Sequence, residues 1–219
     1  QSPPGNAPAF VVGEAGTELE LTVRALHAES DRGERLLSVL DANLLATTDE
    51  QRQALLGGDS KPGLLQAAQG GTLCVLEVQR LTPEVQADLA AMLTATPAPT
   101  WRLMATATLT TGQLPGDLTL NAPLAKALSV VTIPLPPLRD RGEDILALGL
   151  YYLRFFGSEV GKHFAALSDE AQTGLLGYHW PANVAELRDK MRQVASNHAG
   201  GTVGAGHFGE LAAGTPMAR

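Results

Sequence analysis

Five short apolar runs constrain the fold of this chain more than any other feature. They are AFVVG (9–13), RLLSVLDA (35–42), TLCVLEV (72–78), RLMATATL (102–109) and VVTIPL (130–135). TLCVLEV reads as a buried strand, continuous rather than alternating, and such strands belong to sheets covered on both faces. Helical periodicity fills the spaces between. Leu19, Val23 and Leu26 recur at helical spacing between Glu18 and Ser30. Pro83 opens a second helix with Val85, Leu89 and Leu93 on one face. Strands alternating with helices predict an α/β fold with a parallel sheet.

Beyond PPLRDRGED the pattern turns helical. Ile145, Leu148, Tyr152 and Phe155 form one stripe, and Ser168 can cap the next helix. A third helix follows Pro181, with Val184, Leu187, Met191 and Val194 inward. The expected organisation is a linker over 1–8, an α/β core over 9–140, a helical lid over 141–200 and a Gly/Ala-rich linker over 201–219. Thr47 to Gln53 reads as polar, and LLGGDSKPG (55–63) as turn.

Composition narrows the function classes. With 44% hydrophobic residues in 219, a real core is expected and wholesale disorder is not. A net charge of -7 argues against gripping a nucleic-acid backbone. The one cysteine, Cys74, excludes an internal disulfide and fits a reducing cytoplasm. No apolar run is long enough to span a bilayer.

The first strand runs into GEAGTELE (13–20), a junction of the kind that cradles phosphate with backbone N–H groups and a helix N-terminus. Four stretches then occur in order: VVGEAGTELELTVRALHAES, LLQAAQGGTLCVLEVQRLTPEVQADLAAML, VVTIPLPPLRDRGEDI and LSDEAQTGLLGYHWPANVAELRDKM. Together they resemble the central AAA+ domain of NtrC-like bacterial enhancer-binding proteins, which remodel RNA polymerase carrying sigma-54. The resemblance runs from about Ala9 to about Gly201; PPLR-R-ED and WP-NV-EL are its most specific parts. It implies a P-loop AAA+ core of parallel sheet covered by helices, a small all-helical lid, ATP as ligand and neighbouring subunits in a ring.

The chemistry implied by the resemblance is missing residue by residue. Gly13, Gly16 and Thr17 stand where the family's phosphate loop has them, with Glu14 beside them. Glu18 and Leu19 replace the glycine and the lysine that follow. A lost cation and a gained anion at about 4 Å are each worth roughly 4 kcal/mol at an effective dielectric near 20. Leu76-Glu77 stands in place of Asp-Glu, so the magnesium partner is gone and the vestigial base Glu77 remains. Thr108 aligns with the γ-phosphate sensor, and Asn121 and Ala127 with the two arginines that reach a neighbour's ATP. Ala185 takes the lid arginine position, with Arg188 one turn on. LLGGDSKPGLLQAAQGG passes through the region where the family inserts its sigma-contacting loop. Leu19 and Leu76 are expected to pack together, a burial contributing roughly 3–6 kcal/mol.

Other residues read structurally. His27 is expected to be structural, Trp101, Trp180 and Cys74 to be buried, and the five histidines show no metal spacing. Arg139 and Arg141 match the hinge between core and lid and are expected to form an interdomain salt bridge, with the lining of a pocket for an anionic ligand as the alternative. The pairs Tyr151-Tyr152 and Phe155-Phe156 are expected to split between a core face and an exposed face. The expected function is the central domain of a cytoplasmic bacterial response-regulator-type transcription regulator, a pseudo-ATPase serving as an assembly or interaction module. No cofactor is expected, and ATP with magnesium is in doubt. Expected partners are further copies or related AAA+ subunits, RNA polymerase or other regulators, and DNA only through a domain outside this chain; no membrane is expected. A weak ATPase using Glu77 and a receptor for another nucleotide, such as a cyclic dinucleotide, remain as alternatives.

Overall fold

The computed structural model of the chain describes residues 7–58 and 61–213. Two compact units emerge: residues through Gly13 with Leu19–Leu135, and Glu14–Glu18 with the residues from Pro136 on. Most of the expected 1–8 linker and the last part of the 201–219 linker, residues 1–6 and 214–219, lie outside the described residues.

The first unit runs β1 (Ala9–Glu14), α1 (Leu19–Ala28), β2 (Leu37–Asp41), α2 (Thr48–Leu56), β3 (Gly57–Gly58), β4 (Lys61–Pro62) and α3 (Leu64–Ala67). It continues with β5 (Thr72–Leu76), α4 (Pro83–Leu93), β6 (Arg102–Leu109), α5 (Ala122–Leu128) and β7 (Thr132–Pro134). Five strands form one sheet in the order β2-β5-β6-β1-β7. The pairs β1–β7, β2–β5 and β5–β6 are parallel, with Val39, Cys74 and Met104 abreast across β2, β5 and β6.

The pleat sorts the strand side chains into two cores, because successive residues point to opposite faces. Phe10, Val12, Leu40, Leu73, Val75, Leu103 and Ala105 join Leu55, Leu65, Leu89 and Leu124 of helices α2 to α5. Ala9, Val11, Cys74, Leu76 and Met104 face the other way and meet Val23, Leu19 and Leu26 of α1. A residue at position 76 therefore looks toward α1. His27 closes the far end of α1: Nε2 meets the Arg35 carbonyl at 3.0 Å and Nδ1 the Thr72 hydroxyl at 3.0 Å.

Some expectations are corrected. The strand expected over 72–78 stops at Leu76, and the last strand shortens to Thr132–Pro134. The polar stretch after Ala46 folds as α2, its start held by a capping box between Thr47 and Glu50. Its Gln51 is 1% exposed and bonds the Leu45 and Arg80 carbonyls and the Thr82 N–H. The region from 55 to 63 closes as an antiparallel ladder pairing Gly57 with Pro62 and Gly58 with Lys61. A Cβ on Gly57 would lie 2.5 Å from the Gly63 nitrogen, so the two backbones meet where only glycine fits.

The second unit holds α6 (Asp144–Glu159), β8 (Phe164–Leu167), α7 (Asp169–Gly177), α8 (Asn183–Asn197) and β9 (Gly201–Val203). Ser168 caps α7 by accepting from the Ala171 N–H. Ile145, Leu153, Phe156, Leu175, Trp180, Leu187 and Met191 form its core. The buried stripe of α6 passes through Phe156, and Phe155 is 47% exposed, which corrects the expected stripe. Tyr151 joins Phe155 outside while Tyr152 packs inward, so the aromatic pairs split between faces. The helical lid also carries a two-strand parallel ladder, β8 with β9. Residues 201 onward, expected as linker, enter the core: Val203 and Phe208 are 1% and 3% exposed. Among the described residues no helix is long and apolar enough to cross a membrane.

Candidate functional site

The residues singled out by sequence fall into two groups, one in each unit. In the first unit, Leu76 is 9% exposed and Leu19 packs against the apolar cluster that contains it. Neither side chain supplies a cation or an oxygen ligand. Cys74 lies in the same cluster, and burial pushes its thiol up to about 12. The native thiol is therefore expected to resist Ellman's reagent at pH 8 and to react fully once the chain is denatured. Rapid native labelling would contradict that burial.

Glu77 follows the end of β5 in the left-handed region, at φ 55°. Its carboxylate accepts from the Thr108 hydroxyl at 2.6 Å, the Thr108 N–H at 3.1 Å and the Gln79 amide at 2.6 Å. Its own N–H donates to the Thr106 hydroxyl at 3.1 Å. Glu77 and Thr108, the two positions that the resemblance assigns to base and sensor, thus meet each other. Asn121 caps α5 through the Leu124 N–H, and its own N–H reaches Gln86, a structural task. Ala127 lies within the same helix.

In the second unit the loop Glu14–Glu18 is held by lid residues. Arg139 grips the Glu14 carboxylate with two nitrogens at 2.7 and 2.8 Å, and Glu14 raises the Arg139 pKa above its usual value. The salt bridge expected between core and lid is thus internal to this unit, because the loop segregates with it. Arg141 pairs locally with Asp144 at 3.1 Å. Thr17 is 3% exposed, and both its N–H and its hydroxyl donate to the Glu14 carbonyl. Arg188 lies 3.8 Å from the Glu18 carboxylate. Burial, then Glu18, pushes the Tyr152 hydroxyl above its ordinary pKa.

Asn183 was not anticipated as a site residue. It is fully buried at φ 53°, accepts from the Leu138 N–H at 2.7 Å, and donates to the Ala15 carbonyl at 2.8 Å. Its place in WP-NV-EL was the signal available in the sequence. Ala185 presents no side-chain polar group, but its N–H donates to the Gly16 carbonyl at 3.3 Å. Among the described residues no group of three or more His, Cys, Asp or Glu is arranged to hold a metal ion.

A family model described as the sigma-54 interaction domain matches residues 3–138, and one described as the AAA+ ATPase lid domain matches 139–216. The nitrogen fixation protein AnfA of Azotobacter vinelandii is 30% identical over 86% of this chain and 39% of its own length. The nitric oxide reductase transcription regulator NorR1 of Cupriavidus necator is 34% identical over 86% of the chain and 40% of its own length. The transcriptional regulatory protein ZraR of Klebsiella oxytoca is 29% identical over 98% of the chain and 53% of its own length. This chain thus spans about half or less of these relatives. The crystal structure of NtrX from Brucella abortus in complex with ATP shares the fold, with a TM-score of 0.79 and 24% identity over 94% of this chain and 50% of that one.

Proposed function

The chain belongs to the sigma-54 interaction domain family, and from that premise we propose that it is the central domain of a bacterial NtrC-type transcription regulator that has lost ATP hydrolysis and serves as an assembly or interaction module. The observation that carries this reading is the apolar cluster shared by Leu19 and Leu76. The resemblance calls for an ammonium and a metal-binding carboxylate at these two positions. Without them a magnesium triphosphate finds neither a cation for its phosphates nor a protein oxygen for its metal. Glu77 supports the same reading, since its carboxylate is engaged by Thr108 and Gln79. So does the pairing of Gly58 with Lys61, between which the sequence has only Asp59 and Ser60 where the resemblance calls for a sigma-contacting insertion.

The module would act through protein contacts, with its own copies, related AAA+ subunits or RNA polymerase, in the cytoplasm. DNA would be reached through another part of the regulator.

Titration calorimetry with magnesium ATP and a phosphate-release assay test the proposal directly. Neither binding heat nor turnover is expected. Micromolar affinity or steady phosphate release would overturn it. The double variant Leu19→Lys, Leu76→Asp is expected to stay inactive, because no arginine occurs in LNAPLAKALSVV to stabilise the transferring phosphoryl group.

A further inference from the structure

The loop Glu14–Glu18 carries two residues in the left-handed region, Gly16 at φ 78° and Glu18 at φ 66°. For a glutamate that conformation is costly and persists only when the surroundings impose it. The surroundings here are α8 and the turn before α6. The N-cap residue of α8, Ala182, makes no side-chain cap, so the first-turn N–H groups need other acceptors. The loop supplies one, as the Gly16 carbonyl accepts from the Ala185 N–H. Asn183 answers in the other direction, donating to the Ala15 carbonyl at 2.8 Å and to the Glu14 carboxylate at 3.4 Å. The approach is so close that a Cβ on Gly16 would sit 2.1 Å from the Ala182 oxygen.

Charges complete the arrangement. Arg139 holds Glu14 bidentately, and Arg188 stands 3.8 Å from Glu18. The carboxylate and the guanidinium of the second pair are partly shielded, with side-chain exposures of 29% and 38%.

We propose that Glu14–Glu18 and helix α8 form a ligand-independent clasp, in which the Glu18 carboxylate serves Arg188 as a built-in counter-ion. The loop is ordered on the lid by the chain's own groups rather than by a bound anion. The device goes beyond the proposed function: detection of ATP turnover would defeat that reading without touching the clasp.

Hydrogen–deuterium exchange on the 219-residue chain, without nucleotide, tests it. Amides of the loop and of Ala185 are expected to exchange at least tenfold slower than in an unstructured peptide. Glu18→Gln and Arg188→Gln change partly shielded ends of side chains that lie outside the apolar core. Each is expected to speed loop exchange roughly threefold, the scale of a partly exposed ion pair. The double variant is expected to go no further than Arg188→Gln alone, which also ends the 3.7 Å pair of Arg188 with Asp189. A wild-type loop exchanging at peptide rates would overturn the proposal. So would single variants without effect, or effects that multiply in the double variant.

Discussion

Leu76→Asp is expected to lower the stability of the chain by about 4 kcal/mol or more at pH 7, although it restores the residue type that the family resemblance calls for. Leu76 is 9% exposed and packs among Ala9, Val11, Val23, Cys74 and Met104. Truncating such a leucine costs roughly 2–5 kcal/mol through lost contacts and a residual cavity. A carboxylate placed there also loses hydration without gaining a partner, which adds a few kcal/mol or raises its pKa. The effect has a signed pH dependence. The raised folded pKa lies above the unfolded value of about 3.9, so the charge penalty is full above the folded pKa, fades as pH falls from there toward about 3.9, and is absent below it. Leu76→Asn separates the two contributions, because it carries the polar volume without the titration. Urea unfolding of the three proteins at neutral and acid pH measures both. A loss below about 1 kcal/mol, or a variant restabilised by magnesium, would mean that the position is wet and ready for a metal.

Trp180→Ala is expected to cost about 3–5 kcal/mol, the range for a buried aromatic truncated in a core. Trp180 is fully buried, and its indole N–H donates to the Leu175 carbonyl at 2.9 Å. Tyr178 meets its ring edge-on at 5.0 Å. The residue also sits at φ 50°, in the turn that leads α7 into α8. Its loss therefore opens the lid core and frees the entry to the helix that holds the loop. Trp180→Phe keeps most of the ring but orphans the Leu175 carbonyl, and is expected to cost roughly 1–3 kcal/mol for that group. Denaturant unfolding followed by circular dichroism reads both. Equal costs for Ala and Phe would show that the hydrogen bond, not the packing, carries the residue.

The sheet strands were legible as short apolar runs, continuous in β5 because both of its faces are buried, and helices α1, α4 and α8 because each writes its burial into a local period. Val184, Leu187, Met191 and Val194 recur along α8. The chemistry absent from positions 19 and 76 was legible too, since a leucine carries no charge in any fold. Helix α2 escaped because its key buried residue is Gln51, a polar side chain whose partners Arg80 and Thr82 lie far along the chain. Residues 201–213 read as linker because Gly and Ala carry little periodic signal, yet Val203 and Phe208 close the lid core. Sequence alone determined the alternation of strand and helix and that positions 19 and 76 carry leucines rather than ionic side chains. Only the tertiary structure decided what the loop Glu14–Glu18 holds: Arg139 lies 125 residues from Glu14, and Asn183 168 from Ala15. Hydrogen bonds and charges of that separation have no energy in the extended chain and acquire it only when folding brings them within contact.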